Sequence, residues 1–242
     1  MAGENAVCMG YEKIPISRLE PGEMGVLLAR AGAGKTPCLT HLALGYLLNR
    51  EPVLHVCVDV VPDKVKLWYH KLLKDIFASQ PGCNVSDLQH AIEPLRFIMS
   101  FLNQTFTPEK LEMSIENLKE QAKFVPALII VDGLEYGRAR GLFKKIADIA
   151  RRHSAPVWVS ARSHRHIPDV NERGIPYPID AMDDLFDCVF MLEPENDCIR
   201  LKALKVKGEY HPLDSEFMLD ADTFLPLGVK TDAGMGHGPD MG

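Results

Sequence analysis

The chain reads as an α/β domain with a mainly parallel central sheet flanked by helices and with antiparallel strands at its C-terminal edge. Three observations carry this reading. Short apolar runs alternate with stretches of helical spacing through residue 161, the pattern of strand–helix–strand crossovers. Several of those runs are nearly continuous in apolar residues, as in strands covered on both faces. From residue 187 the helices stop and short alternating runs divided by turn residues take over.

Bulk properties narrow the class. A chain of 242 residues buries about 70% of its unfolded surface and needs no disulfide staples. A hydrophobic content of 46% excludes wholesale disorder, and a net charge of −6 argues against a surface that coats nucleic acid. The six cysteines, Cys8, Cys38, Cys57, Cys83, Cys188 and Cys198, show no CxxC spacing, so reduced thiols in a cytoplasmic protein are expected. No apolar run approaches the ~18–20 residues that span a bilayer.

The elements follow in order. Residues 24–28 form a short buried strand after the turn signal Pro21-Gly22. Residues 36–49 have helical spacing, and Pro37 is tolerated because the first turn lacks internal hydrogen bonds. Residues 53–60, "VLHVCVDV", form a β-branched strand, and residues 63–78 a helix with a broad apolar stripe. A short helix over 85–92 and a strand over 95–101 come next. Thr107 caps a helix that has Pro108 at its first position. Residues 127–132, "ALIIVD", are the strongest strand, followed by a helix over 142–153 and a strand over 156–161. Residues 163–182 are polar and proline-containing and read as a long loop. The domain spans 1–228, and 229–242 reads as a disordered tail.

Between the first strand and the first helix stands "ARAGAGKT", residues 29–36. A glycine-rich turn that runs from a strand into a helix N-terminus suits an anion: backbone N–H groups converge, the helix dipole favours negative charge, and a lysine and a hydroxyl follow. The expected nucleotide contacts are Ala31, Gly32, Ala33, Gly34, Lys35, Thr36 and Pro37, with Lys35 on the terminal phosphates and Thr36 on Mg²⁺. Ala29 stands where glycine is usual, which is sterically acceptable at negative φ. Asp132, at the end of the strongest strand, is placed to hold Mg²⁺ with Thr36. Hydrolysis also needs a residue that orients water. Asp59, at the end of the second strand, is one candidate and reads equally well as a turn or cap residue; Glu135 is another.

In this order the parts resemble the RecA-like ATPases, in the KaiC and RadA-like branch, over roughly residues 12–228. The resemblance rests on "ARAGAGKT", on "VCVDVVPDKV" at the place of the catalytic acid, on "ALIIVDGLE" as the Walker B strand, on "PVWVSARSHR", "DDLFDCVFML" and "LKALKVKGEYHP". It implies ATP and Mg²⁺ as ligands and a RecA-like fold. Ser160 and Arg162 match a polar sensor. Lys205 and Lys207 match paired basic residues that reach a neighbouring subunit's nucleotide, which implies a homo-oligomer, ring or filament. The acid position falls on Asp59 or Val60, so binding is implied more strongly than rapid hydrolysis.

Two other readings stay beside these. Lys205 and Lys207, at period 2 on a strand, would share one face and could simply protect a sheet edge. The stretch "SARSHRHIPDVNERGIPYP", residues 160–178, with Arg162, His164, Arg165, His166, Arg173 and Tyr177, reads as a solvated or protein-contact loop more readily than as a single-strand binder, and the His164/His166 pair lacks further ligands for a metal. The expected function is a slow ATPase whose output is a conformational change or assembly. The alternatives are a non-hydrolysing nucleotide-binding module for an unknown protein partner, or a DNA-recombination accessory.

Overall fold

The computed structural model describes residue 16 and residues 19–77, 84–134, 140–163, 170–212 and 216–227. The first half alternates strand and helix: β1 (Met24–Ala29), α1 (Lys35–Leu48), β2 (Val53–Val58), α2 (Pro62–Phe77), α3 (Val85–Ile92), β3 (Arg96–Phe101), α4 (Pro108–Ala122), β4 (Leu128–Asp132), α5 (Arg140–His153) and β5 (Val157–Arg162). Then come β6 (Cys188–Glu195), β7 (Cys198–Val206), β8 (Glu209–Tyr210) and β9 (Glu216–Asp220). The tail expected over 229–242, Glu135, His164 and His166 lie outside the described residues.

The strands form one sheet in the order β3-β2-β4-β5-β1-β6-β7-β8, with β9 also paired to β7. Every pair from β3 across to β6 is parallel, and β7 reverses direction. The sequence placed the antiparallel edge from residue 187 onward; β6 instead is the last parallel strand. The reason is that the connection after β5 returns the chain to the starting end of β1. There Asp187 N donates to Met24 O at 2.7 Å, and Met24 N donates to the Asp187 carboxylate at 2.8 Å.

β1, β2 and β4 are buried along their whole length, which explains their unbroken apolar sequence. Alternate residues feed two cores. Leu27, Ala29, Val53, Cys57 and Ile130 meet Leu39, Leu44 and Leu47 of α1 and Val65, Tyr69 and Leu72 of α2. Met24, Val26, Leu28, Val56 and Val131 meet Leu111 and Ile115 of α4 and Phe143, Ile146 and Ile149 of α5. Each of the buried Val, Leu, Ile, Phe and Met side chains contributes about 1.5–3 kcal/mol of burial. Thr107 caps α4 as expected, accepting from Lys110 N at 3.2 Å.

Two irregularities position later features. β2 stops at Val58 rather than at residue 60, because Asp59 takes a left-handed conformation with φ 53°. In β7, Phe190 pairs with Ala203 but Val189 pairs with Lys205, so Leu204 is an extra residue on β7. Such a bulge changes which face the following side chain meets.

Candidate functional site

The turn joining β1 to α1 answers the question of Ala29. This residue is still in the strand, buried and paired with Arg162 of β5 and Leu192 of β6. An L-residue suits extended backbone, so glycine is not needed there. The left-handed positions come later, at Gly32 (φ 76°) and Gly34 (φ 94°). Gly34 caps α1 without a side-chain hydrogen bond, and the first turn of α1 has no acidic residue. The helix therefore presents its N-terminal dipole without a carboxylate of its own.

Lys35 folds back across the turn. Its ammonium donates to Ala29 O at 3.1 Å and Arg30 O at 3.0 Å. Burial lowers its pKa, the nearby Asp132 carboxylate opposes that shift, and the Arg162 guanidinium adds to it. Thr36 Oγ1 donates to Asp132 Oδ2 at 2.6 Å, across 96 residues of sequence. Asp132 is 2% exposed. Beside it, Gly133 N donates to Ser160 Oγ at 2.8 Å, which ties the end of β5 to the turn after β4. At Gly133 a Cβ would sit 2.1 Å from Val58 O, so the ends of β2 and β4 approach as closely as backbone allows.

The structure thus brings Lys35, Thr36, Asp132, Ser160 and Arg162 to the same end of adjoining strands. Ala31 and Gly32 form the exposed crest of the turn, while Ala33 and Pro37 are buried beside it. Pro37 lies in the first turn of α1, has no N–H and offers a phosphate no amide. The hydroxyl of Thr36 and the carboxylate of Asp132 are hard oxygen donors of the kind Mg²⁺ takes. The thiol of Cys57, whose Cα pairs with that of Asp132, is pushed up to about 12 by burial, so it stays protonated and offers no thiolate.

Three expected residues stand elsewhere. Asp59 is exposed, and its carboxylate accepts from Asn103 N at 3.0 Å while its own N–H donates to Phe101 O. It stitches the end of β2 to β3, on the side away from β4. The expected shared face of Lys205 and Lys207 does not form. Lys205, turned by the bulge, is 6% exposed and donates to Asp183 O at 3.0 Å and Phe186 O at 2.7 Å. Lys207 has left β7 for a turn with φ 47° and lies 3.5 Å from the Glu20 carboxylate. Lys205 is thus engaged by carbonyls of its own chain rather than brought to the turn with Lys35, Thr36 and Asp132.

Sequence reasoning missed what supports the turn from beneath and beside it. Phe224, 4% exposed and held at φ 57°, lays its ring against Gly34 and edge-on to Trp68 at 5.8 Å. Its carbonyl accepts from His41 Nδ1 at 2.8 Å. Under the site, His55 Nδ1 meets Tyr69 Oη at 3.1 Å. Burial drives both histidines down to about 4, so both are neutral at pH 7. The lone histidine in "VLHVCVDV" was a visible signal; the pairing of Phe224 with Gly34 had none.

Glu112, Glu116 and His153 also bring ligand atoms within 4.8 Å of one another. However, Arg152 binds both oxygens of Glu112 at 2.6 and 2.9 Å, and Lys119 Nζ lies 2.6 Å from His153 Nδ1. Two cations already balance the two carboxylates, so the group is a clamp between α4 and α5.

No protein-family model matches this chain, and no curated protein matches it.

Proposed function

We propose that the chain is a RecA-like P-loop ATPase domain that binds ATP with Mg²⁺. The observation that carries this is the 2.6 Å bond from Thr36, at the start of α1, to Asp132, at the end of β4. A hydroxyl directly after a glycine-rich turn and a carboxylate closing a central strand form the oxygen pair that holds Mg²⁺ in P-loop sites. The strand order supports the reading: β5 lies between the turn strand and the acid strand, which brings Ser160 and Arg162 to the same rim. On this reading Lys35 leaves its two carbonyls for the terminal phosphates, and the amides of residues 32–36 hold the phosphate oxygens. Bound Mg²⁺ would supply charge neutralisation between the phosphates.

Hydrolysis is the slower part of this function. Asp59, the candidate for orienting water, is engaged with Asn103, and that observation favours the second reading, a nucleotide-binding regulatory or assembly module. The cytoplasmic setting, a homo-oligomer and an unknown protein partner belong to the same proposal. Lys205 has no trans role in it, because its ammonium is buried in its own chain.

The test is isothermal titration with ATP, with and without Mg²⁺, on the wild type and Lys35→Ala. Mg²⁺-dependent binding that Lys35→Ala abolishes is the expected result. No binding, or binding indifferent to Lys35→Ala, overturns the proposal. Phosphate release measured across protein concentration then separates an ATPase from a module that only binds.

A further inference from the structure

His55 sits in the middle of β2 at 0% exposure. A buried imidazole in a strand is costly unless its ring nitrogens find partners. Tyr69 of α2 engages Nδ1 at 3.1 Å, its ring edge-on to the imidazole with centroids 5.8 Å apart. Tyr69 is in turn covered by the Arg96 guanidinium, 4.6 Å from its ring centroid. At the other edge of the imidazole, Nε2 is buried and has no hydrogen-bond partner among the described residues.

The register places Asp132 in the next row of the same face. Cys57 pairs with Asp132, and His55 pairs with Ile130. Residues two apart on a strand share a face, so His55 stands one row below Asp132 on the face that α1 and α2 cover. The Asp132 carboxylate is close enough to act on the imidazole electrostatically. Carboxylates that hold a metal are commonly held in turn by a hydrogen-bond donor behind them.

We infer that His55 is a positioning residue for Asp132: the Tyr69 hydroxyl donates to Nδ1, the ring proton sits on Nε2, and that N–H steadies the Asp132 carboxylate across one water for a divalent cation. The inference rests on the ATP–Mg²⁺ reading above and adds a role for the buried His55–Tyr69 pair within it.

The test is Mg²⁺ titration of binding by a fluorescent ATP analogue, with the same analogue in EDTA as reference. His55→Leu is expected to raise the Mg²⁺ midpoint about 10-fold or more while affinity in EDTA stays within about two-fold, since the effect is on the metal ligand and not on the phosphate turn. His55→Gln, which keeps an N–H of similar reach, restores most of the loss. Tyr69→Phe removes only the hydroxyl that fixes the tautomer; it shifts the midpoint less, and it carries the test if His55→Leu fails to fold. An unchanged midpoint in folded variants, or an equal loss with and without Mg²⁺, overturns the inference and leaves the functional reading standing. A wild type that binds no nucleotide overturns both.

Discussion

The ring of Phe224 lies so close to Gly34 that a Cβ at position 34 would sit 2.3 Å from it. The segment after β9 therefore packs directly on the cap of α1, and the glycine-rich turn is held by a residue 190 positions further along the chain. Gly34 is also at φ 94°, where an L side chain is disfavoured.

Gly34→Ala combines both penalties. The expected cost is about 1–2 kcal/mol from backbone conformation, with a further loss from the contact. Phe224→Ala creates a cavity of its own, yet the double variant should lose less than the sum, with a coupling of about 0.5–3 kcal/mol. Urea denaturation of the four proteins measures it. Strict additivity would mean that the ring and the cap do not interact.

Thr36→Val keeps the shape of the threonine and removes its hydroxyl. It leaves the carboxylate of Asp132, 2% exposed, without its 2.6 Å donor. The free protein is expected to lose about 1–3 kcal/mol, and Mg²⁺ should no longer strengthen ATP binding. Thr36→Ser should retain both properties. Denaturation and titration of the same samples check this.

Lys205 and Lys207 should separate sharply. Lys205→Met deprives two backbone carbonyls of their donor, at an expected cost of about 2–3 kcal/mol. Lys207→Ala, at a half-exposed contact with Glu20, is expected to change stability by less than about 0.5 kcal/mol. Thermal melts of the two variants decide it. Equal, small effects would place Lys205 at the surface.

Stability should fall on mild acidification. His41 and His55 have pKa values of about 4, against the ordinary 6.5. Between those limits the unfolded chain takes up protons that the folded chain does not, so stability rises with pH across this window. It is fully present above pH 6.5 and is lost as pH falls toward 4, on the order of 3 kcal/mol for each histidine. Urea midpoints at a series of pH values from neutrality downward should show the slope, and His41→Gln should remove about half of it.

The parts of this molecule that depend on local sequence were legible before its structure. Continuous apolar runs marked β1, β2 and β4, and Thr107-Pro108 marked the start of α4, because strand burial and helix capping are read within a few residues. Lys35, Thr36 and Asp132 were legible because turn, hydroxyl and acid each have a local signature. Their 2.6 Å meeting was not, since Thr36 and Asp132 are 96 residues apart and meet only through the order of the strands. Asp59 was placed in β2 because the hydrophobic run continues to residue 61; its left-handed backbone reflects the hydrogen bond it makes to Asn103. Period 2 put Lys205 and Lys207 on one face, but β7 ends at Val206 and Lys207 turns away at φ 47°, an end that the alternation alone does not mark. Nothing in the sequence joins Phe224 to Gly34 or Tyr69 to His55, contacts that exist only after packing.

The bulge at Leu204 acts as a phase shift in the strand's inside–outside rhythm. Deleting Leu204 would cancel it and leave Lys205 opposite Val189, on the same side of the sheet; a regular strand that kept Leu204 would instead set Lys205 opposite Cys188, on the side that α1 covers. Comparisons of this strand across related chains should therefore count hydrogen-bonded partners rather than positions, because the face that Lys205 takes is set by its partner across the ladder.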